Sequence, residues 1–184
     1  DKTAKLLGVE FPGGPKIELL AANGNPNKFE LPKPIINKGG CNFSFAGLKT
    51  AVLRISKNIK SEQDKFDLAA SFQKTIVEII CRKTEIAFKH YLRVNENNSK
   101  NFVVAGGVAA NKNIRQSLKE ISKKNNFKVY FPKQELCGDN AAMIAMVGLE
   151  RLKLKKFNNH DFQANPRWQL DENAKFLKGA GVVL

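Results

Sequence analysis

The pattern of apolar and polar positions predicts short strands that alternate with amphipathic helices. Its clearest unit is Phe102–Asn111, in which four apolar residues precede Gly106 and Gly107. The apolar run suits a buried strand, and two residues without side chains allow a sharp turn and a close approach of a ligand to the backbone. Helical spacing follows over 113–125. The sequence therefore predicts a strand, a Gly-Gly turn and a helix in direct succession.

Two interpretations of this unit stay open. A strand followed by a helix N-terminus is how many folds hold a phosphate or an adenosine, and Asn111 at the mouth of the turn could donate and accept hydrogen bonds. Alternatively, the Gly-Gly pair is only a tight connection and Asn111 is the N-cap of the helix. The residues of this unit alone do not separate a ligand site from a structural turn.

Helices and strands are also expected on both sides of this unit. The chain has no initiator Met, and Gly8 ends what looks like the last turns of a helix, so we expect a piece of a longer protein. The periodicity of 61–94 predicts two helices or one kinked helix. The remaining helices are expected over 16–22 and from residue 48, and short strands at 29–31, 42–45 and 128–131.

The stretch that follows Cys137 contains a second candidate site. Asp139 is expected to be the N-cap of a helix, because a carboxylate there accepts a backbone N–H and complements the helix dipole. The helix beyond is apolar on nearly every side for ten residues, which predicts that its first half is buried. An acid that opens a buried helix is also a candidate metal ligand.

The charge balance adds a class of partner. The chain has 31 Lys and Arg against 17 Asp and Glu, a formal net charge of +14. Such an excess favours polyanions, nucleic acid first, although lysine used as surface filler would give the same count. Three widely spaced cysteines predict reduced thiols. No apolar run approaches ~18 residues and no signal peptide is evident, so we expect a cytoplasmic protein without a membrane span.

Five stretches, taken together and in order, resemble the TsaD family, the tRNA adenosine threonylcarbamoyltransferases once labelled glycoproteases. The first reads Asp-Lys-Thr-Ala-Lys-Leu-Leu-Gly and ends in Pro-Gly-Gly-Pro, and the second reads Phe-Ser-Phe-Ala-Gly-Leu-Lys-Thr. Each stretch alone is weakly specific, whereas five in the family's order and spacing are strongly specific. The five are Asp1–Pro15, Phe43–Thr50, Val104–Asn111, Cys137–Ala145 and Pro166–Glu172.

The resemblance implies an α/β fold of the actin-like and sugar-kinase-like (ASKHA) type, in which two lobes enclose a nucleotide. This chain would be most of the C-terminal half, with a nucleotide-binding lobe over 1–160 and a tail over 161–184 that packs on the body or on the missing N-terminal lobe. The family transfers threonylcarbamoyl from threonylcarbamoyl-adenylate to the exocyclic amine of the tRNA adenosine 3′ of the anticodon, releasing AMP. The implied class is therefore an acyltransferase.

The resemblance also implies site residues, position by position, and assigns no catalytic residue to this chain. A carboxylate can accept hydrogen bonds from ribose hydroxyls, and a glycine lets the backbone approach a nucleotide. The implied substrate-binding residues are Asp1, Gly14, Glu18, Gly106, Gly107 and Asn111. The implied metal ligand is Asp139, for one Fe2+ or Zn2+ ion per full-length subunit.

Two departures from the family pattern limit these expectations. The family's other metal ligands are a pair of histidines in the N-terminal half, whereas His90 and His160 here are far apart and form no such pair. One carboxylate is a poor metal site, so we expect the chain alone to bind metal weakly and to be inactive. Gly138 stands where the family usually has Thr.

Partners and alternatives follow from the same resemblance. The expected partners are threonylcarbamoyl-adenylate, tRNA and the bacterial proteins of the transfer complex, and the incomplete lobe could self-associate. The expected tRNA contacts are the loop at Lys49 and the basic run Arg151–Lys156. Two other functions stay open, a lobe of an actin-like ATPase or sugar kinase and a non-enzymatic basic RNA-binding module.

Overall fold

The computed structural model describes residues 1–94, 99–159, 161 and 163–166. It divides into two compact units, residues 1–138 and residues 139–184, which we treat separately. The predicted division at residue 160 stays a prediction, because most of the proposed tail lies outside the described residues. The same holds for most of the family-like stretch Pro166–Glu172, of which only Pro166 is described.

The first unit contains five α-helices and two short strands in its described part. The helices are α1 (Lys2–Leu6), α2 (Gly13–Ala21), α3 (Leu48–Ser56), α4 (Glu62–Val94) and α5 (Lys112–Lys124). The strands are β1 (Asn101–Val103) and β2 (Lys128–Tyr130), and two 3-10 turns lie at Gly107–Ala110 and Gln134–Leu136. The second unit contains α6 (Ala141–Lys153). No described helix is long and apolar enough to cross a membrane.

The predicted order of strand, Gly-Gly turn and helix is confirmed, but burial of the strand was predicted wrongly, because β1 covers only Asn101–Val103 and Val103 is 69% exposed. β1 and β2 pair in parallel, with Phe102 opposite Val129, and α5 connects them. A parallel pair joined through a helix is the β-α-β unit, so the described part of the chain is α/β. Gly106 has φ of 93°, a conformation that side chains disfavour, which explains the glycine at the end of the strand.

α4 is one continuous helix of 33 residues, so of the two predicted alternatives the single helix is observed and the pair of helices is not. Its start is a capping box, in which Ser61 Oγ accepts the Asp64 N–H and Asp64 Oδ2 accepts the Ser61 N–H. Its first half packs against α2 in a core that includes Ile17, Val52 and Leu68. Its second half reaches the sheet, where Phe88 stacks on Phe127 with ring centroids 3.9 Å apart. α4 is therefore the scaffold of the first unit.

The strands predicted at 29–31 and 42–45 are absent from the described structure. The Phe29 N–H donates to Ser71 Oγ of α4, so a side chain satisfies the group that a strand would have paired. Phe43 and Phe45 are about half exposed and lie with parallel rings 6.5 Å apart. Alternation of apolar and polar residues predicted a strand there, but a short extended segment becomes a strand only where a partner edge is available.

The helix that follows Asp139 was predicted to be buried, but the structure shows it exposed. α6 contains no buried residue, and Ile144 and Val147 expose 66% and 57% of their surface. The apolar sequence was correctly identified, but no other described element of the second unit covers it. Apolar residues on all sides predict burial only when the segment that covers them is present.

A buried carboxylate joins the loop after α2 to α4. The side chain of Asp67 is 4% exposed and accepts from the Asn25 N–H at 2.7 Å, from Gln63 Nε2 at 2.8 Å and from Lys28 Nζ at 2.9 Å. Gly24 lies directly on α4, because a Cβ at this position would meet the Phe66 carbonyl oxygen at 2.0 Å. The hydrogen bonds from Asn25, Lys28 and Gln63 hold the pKa of Asp67 below its ordinary value of 3.8.

We therefore predict that acid weakens the first unit through Asp67. A carboxylate with a lower pKa in the folded than in the unfolded chain stabilises the fold above pH ~4, and this stabilisation is lost as the pH falls through the folded value. The Asp67→Asn variant should be less stable at pH 7 and should lose less of its stability between about pH 5 and pH 2. Urea unfolding across that range measures both effects. Glu10→Gln controls for removal of an exposed carboxylate, and equal pH slopes for wild type and Asp67→Asn would contradict the prediction.

Candidate functional site

The first residue of the chain contacts the start of α2. The Gly13 N–H donates to Asp1 Oδ1 at 2.8 Å. Gly13 is buried, and a Cβ there would meet Ala4 Cβ at 2.5 Å and Asp1 Cα at 2.8 Å. The close packing of α1 on the first turn of α2 therefore requires glycine at position 13. It also fixes the Asp1 carboxylate at a helix N-terminus, where the helix dipole favours negative charge.

α2 presents two of the predicted residues on one side. Gly14 and Glu18 are four positions apart and so lie one above the other on the helix. Gly14 is exposed, and no atom lies within 4 Å of where its Cβ would be. Glu18 is half-buried, and its Oε1 accepts the Lys112 N–H at 2.7 Å. This bond joins α2 to the first turn of α5, beside Asn111.

Asn111 is the N-cap of α5. Its Oδ1 accepts the Ile114 N–H at 2.9 Å, and its Nδ2 donates to Gln73 Oε1 of α4 at 2.8 Å. The N-cap interpretation is therefore confirmed. Capping and the bond to Gln73 leave one N–H of Nδ2 and one lone pair of Oδ1 available for a ligand. Asn111 is half-buried.

The Gly-Gly turn leads from β1 to Asn111. Gly106 and Gly107 are both exposed, and no atom lies within 4 Å of a Cβ built at either position. The 3-10 turn Gly107–Ala110 continues to Asn111 and is held from below by Arg115, which donates through Nε to the Ala109 carbonyl oxygen. The same guanidinium donates through one terminal nitrogen to the Pro132 carbonyl oxygen at 2.9 Å and to Cys137 Sγ at 3.0 Å.

Four of the six predicted substrate-binding residues lie on or next to the contacts that α2 makes with Asp1 and with α5, and the other two, Gly106 and Gly107, lead along the chain to Asn111. Asp1 contacts the start of α2, Gly14 and Glu18 share one side of α2, and Glu18 reaches the residue next to Asn111. Sequence reasoning missed Gln73, whose only signal was one polar residue at a helix position spaced for packing. It also missed Gly13 and Arg115. The close approach of α1 to the Gly13 backbone, and the bond from Arg115 to a backbone carbonyl, leave no recognisable spacing of residues in the sequence.

The arrangement lies at the surface of the first unit, with four of its six residues exposed and Glu18 and Asn111 half-buried. Two depressions of the first unit, of about 350 Å³ and 250 Å³, lie elsewhere. The larger one is lined by side chains of α3, of the turn before α4 and of the segment at Phe29, and none of the predicted site residues lines either. Asp64, at the larger depression, already accepts hydrogen bonds from Lys28 Nζ and from the backbone N–H groups of Lys60 and Ser61.

Asp139 belongs to the second unit, and the prediction that it caps α6 was wrong. Asn140 is the N-cap, with its Oδ1 accepting the Met143 N–H at 3.0 Å. The backbone at Asn140 is extended, with φ of −151°. The helix therefore begins one residue later than predicted. Asp139 is exposed. No group of three or more His, Cys, Asp or Glu residues capable of holding a metal exists within the described ranges, so the residues present do not fit a complete metal site.

Comparisons with known proteins agree on one family. Residues 1–146 match the family model described as TsaD, tRNA N6-adenosine threonylcarbamoyltransferase. The protein of that name from Pelagibacter ubique is 66% identical over 184 residues, which is 100% of this chain and 52% of that protein. Its namesake from Rickettsia massiliae is 48% identical over 175 residues, 94% of this chain and 51% of that protein. The chain spans about half the length of the curated relatives it matches.

The two adjacent glycines of α2 provide a matched pair of variants. Gly13→Ala should lower the melting temperature and release Asp1, because its Cβ would overlap Ala4 and Asp1; overpacking of this kind costs ~1–3 kcal/mol. Gly14→Ala should leave stability unchanged or slightly raised, because its Cβ meets no atom and alanine favours a helix. Thermal unfolding of both variants measures the difference. Equal melting temperatures would show that α1 does not pack on α2 as described.

Proposed function

Because this chain belongs to the TsaD family of tRNA N6-adenosine threonylcarbamoyltransferases, we propose that the protein containing it transfers threonylcarbamoyl to a tRNA adenosine. One observation supports the proposal independently of the family membership. Asp1 accepts the N–H of Gly13, the neighbour of Gly14, and Glu18 accepts the N–H of Lys112, the neighbour of Asn111. Two hydrogen bonds therefore link the neighbourhoods of the four residues that match the family's adenylate-binding positions, which supports the proposal.

In the proposed reaction, the donor is threonylcarbamoyl-adenylate and the acceptor is the exocyclic amine of the adenosine 3′ of the anticodon. The amine nitrogen bonds to the carbamoyl carbon, the bond from that carbon to the phosphate oxygen breaks, and AMP leaves with the electron pair while the amine loses a proton. In this scheme Asp1 and Glu18 accept hydrogen bonds from the ribose. Each carboxylate has free lone pairs, since a carboxylate offers about four acceptor sites and each uses one on a backbone N–H.

The glycines fit backbone contact with the donor. Gly14, Gly106 and Gly107 are exposed and have open space where a side chain would be, so a nucleotide could approach their backbone directly. Asn111 would contribute its second amide N–H, while Gln73 keeps the side chain oriented. Gln73 is in this scheme a positioning residue that touches no substrate.

The wider architecture is part of the proposal. The β-α-β unit with its Gly-Gly turn fits one lobe of an actin-like ASKHA fold, and the chain's coverage of about half of each relative fits one half of such a protein, which the resemblance implies is the C-terminal half. An actin-like ATPase or sugar kinase would share that unit but would not need the Asp1–Pro15 and Cys137–Ala145 patterns. A basic RNA-binding module without enzymatic activity would need no adenylate site.

A metal ion would be held only by the full-length protein. Asp139 would supply one ligand to Fe2+ or Zn2+, and the others would come from outside this chain, since the described residues contain no sufficient group. Because α6 is capped by Asn140, the Asp139 carboxylate is not used for capping. We therefore propose that the isolated chain is inactive, and that partner proteins of a cytoplasmic transfer complex act with the full-length enzyme.

Asn111 provides the sharpest test. The full-length protein, with its partner proteins, should transfer threonylcarbamoyl from synthetic threonylcarbamoyl-adenylate to tRNA. Asn111→Asp keeps a capping oxygen but removes the amide donor, and Gln73 can rotate its own amide to donate to the new carboxylate. We therefore expect a nearly unchanged melting temperature and a loss of at least about tenfold in kcat/KM. Asn111→Ala should lose activity and also ~1 kcal/mol of stability, because it removes the cap.

The assay also separates the alternatives. Transfer at the wild-type rate by the Asn111→Asp variant would remove Asn111 from the site. ATP hydrolysis or sugar phosphorylation by the full-length protein without any threonylcarbamoyl transfer would favour the kinase-like alternative. Binding of tRNA with no effect of the adenylate on the melting temperature would favour the RNA-binding module.

A further inference from the structure

α5 carries a continuous row of cations. Lys112, Arg115, Lys119 and Lys123 are spaced by three, four and four positions, so they share one side of the helix. The row is roughly 16 Å long at 1.5 Å per residue. Glu120 is the only acidic residue among the 13 residues of the helix, against five Lys and Arg. We call the positions 112, 115, 119 and 123 the basic row.

The lysines of the basic row are not neutralised by neighbours. Lys112, Lys119 and Lys123 are exposed, and none forms an ion pair with a described carboxylate. Some lysines elsewhere on the chain are paired, as in the bonds of Lys28 to Asp64 and of Lys153 to Glu150, whereas others, such as Lys57 and Lys60, are exposed and form no ion pair with a described carboxylate. Lysine used as surface filler would be interspersed with acids, so an unpaired row is a stronger indication of an anionic partner than the net charge alone.

An aromatic ring lies beside these cations. The Arg115 guanidinium and the Lys119 ammonium lie 4.9 Å and 6.0 Å from the centroid of the Phe131 ring. Lys128 and Tyr130 pair with each other on the exposed face of β2, because successive residues of a strand point to opposite faces, and they are not part of this row. A row of cations suits RNA, whose phosphates need positive charge.

The basic row begins at the candidate site. The backbone N–H of Lys112 is the group bound by Glu18, and the preceding residue is Asn111. An RNA strand lying along the row would therefore have one end beside the proposed adenylate. The run Arg151–Lys156, which the sequence suggested as a tRNA contact, is less available, because Lys153 pairs with Glu150 and Arg151 donates to Asn158.

We propose that the basic row of α5 binds the phosphate backbone of the tRNA substrate and guides its adenosine to the Asn111 end of the helix. This inference rests on the proposed function, which supplies tRNA as the substrate. Lys119 and Lys123 contact phosphates. Arg115 has a different role, because its guanidinium is already bound to the Ala109 and Pro132 carbonyl oxygens.

The test is the salt dependence of tRNA affinity in the full-length protein. Lys119→Gln combined with Lys123→Gln removes two charges of the row, and Lys57→Gln combined with Lys60→Gln removes two exposed charges elsewhere as a matched control. Each phosphate contact contributes about 0.9 to the slope of log affinity against log salt. We expect the row variant to bind tRNA about tenfold more weakly at low salt and to lower the slope by about 2, and the control to stay within about twofold of wild type.

The outcomes separate this inference from the proposed function. Unchanged tRNA affinity in the row variant, or an equal loss in the control, would overturn the proposed role of the basic row. Neither result would contradict the proposal that the protein transfers threonylcarbamoyl. Equal affinity combined with a lost protein partner would assign the row to a protein interface and would also overturn it. If the wild-type protein binds no tRNA at all, the proposed function itself fails. Adenylate-induced stabilisation, measured in parallel, should be the same in wild type and the row variant.

Discussion

A single hydrogen bond between a carboxylate and a backbone N–H holds the candidate site together. Glu18 Oε1 and the Lys112 nitrogen are 2.7 Å apart and belong to residues 94 positions apart in sequence. A charge-assisted bond of this kind is stronger than a neutral one, and it satisfies an N–H that a helix N-terminus leaves without an intrahelical partner. Without it, α2 with Gly14 and α5 with Asn111 would have no direct polar connection among the described hydrogen bonds.

The long helix α4 makes that bond possible, because three of its regions each fix one of the surrounding segments. Asp67 near its start binds the loop that follows α2, Gln73 binds Asn111, and Phe88 packs against Phe127 and Phe102 of the sheet region. A rigid helix transmits the spacing between these points, so the two ends of the candidate site keep a fixed separation. The predicted substrate-binding residues lie on α2 and at the start of the chain, in the Gly-Gly turn and at the N-cap of α5, whereas α4, which connects the surrounding segments, carries none of them.

The sequence allowed the local structure to be predicted well and the long-range contacts poorly. The β-α-β unit was predicted because Gly106, Gly107 and the periodicity of α5 act locally. The strand at 42–45 was predicted wrongly, because alternation does not say whether a partner edge exists. Burial of α6 was predicted wrongly for a related reason, since an apolar helix needs a covering segment. For the site, resemblance supplied the residue types, while Gln73 and Gly13 became visible only once their contacts at α5 and α1 were seen.

The central claim is that the surface formed by Asp1, Gly14, Glu18 and Asn111 binds the adenylate. A crystal structure of the full-length protein with a non-hydrolysable analogue of threonylcarbamoyl-adenylate tests it most directly. The account predicts that the adenosine lies against Gly14 and the Gly106–Gly107 turn, with the ribose hydroxyls within hydrogen-bond distance of Asp1 or Glu18. An analogue bound instead in the depression of about 350 Å³ beside Phe29 and Ile55, with the four residues untouched, would contradict it.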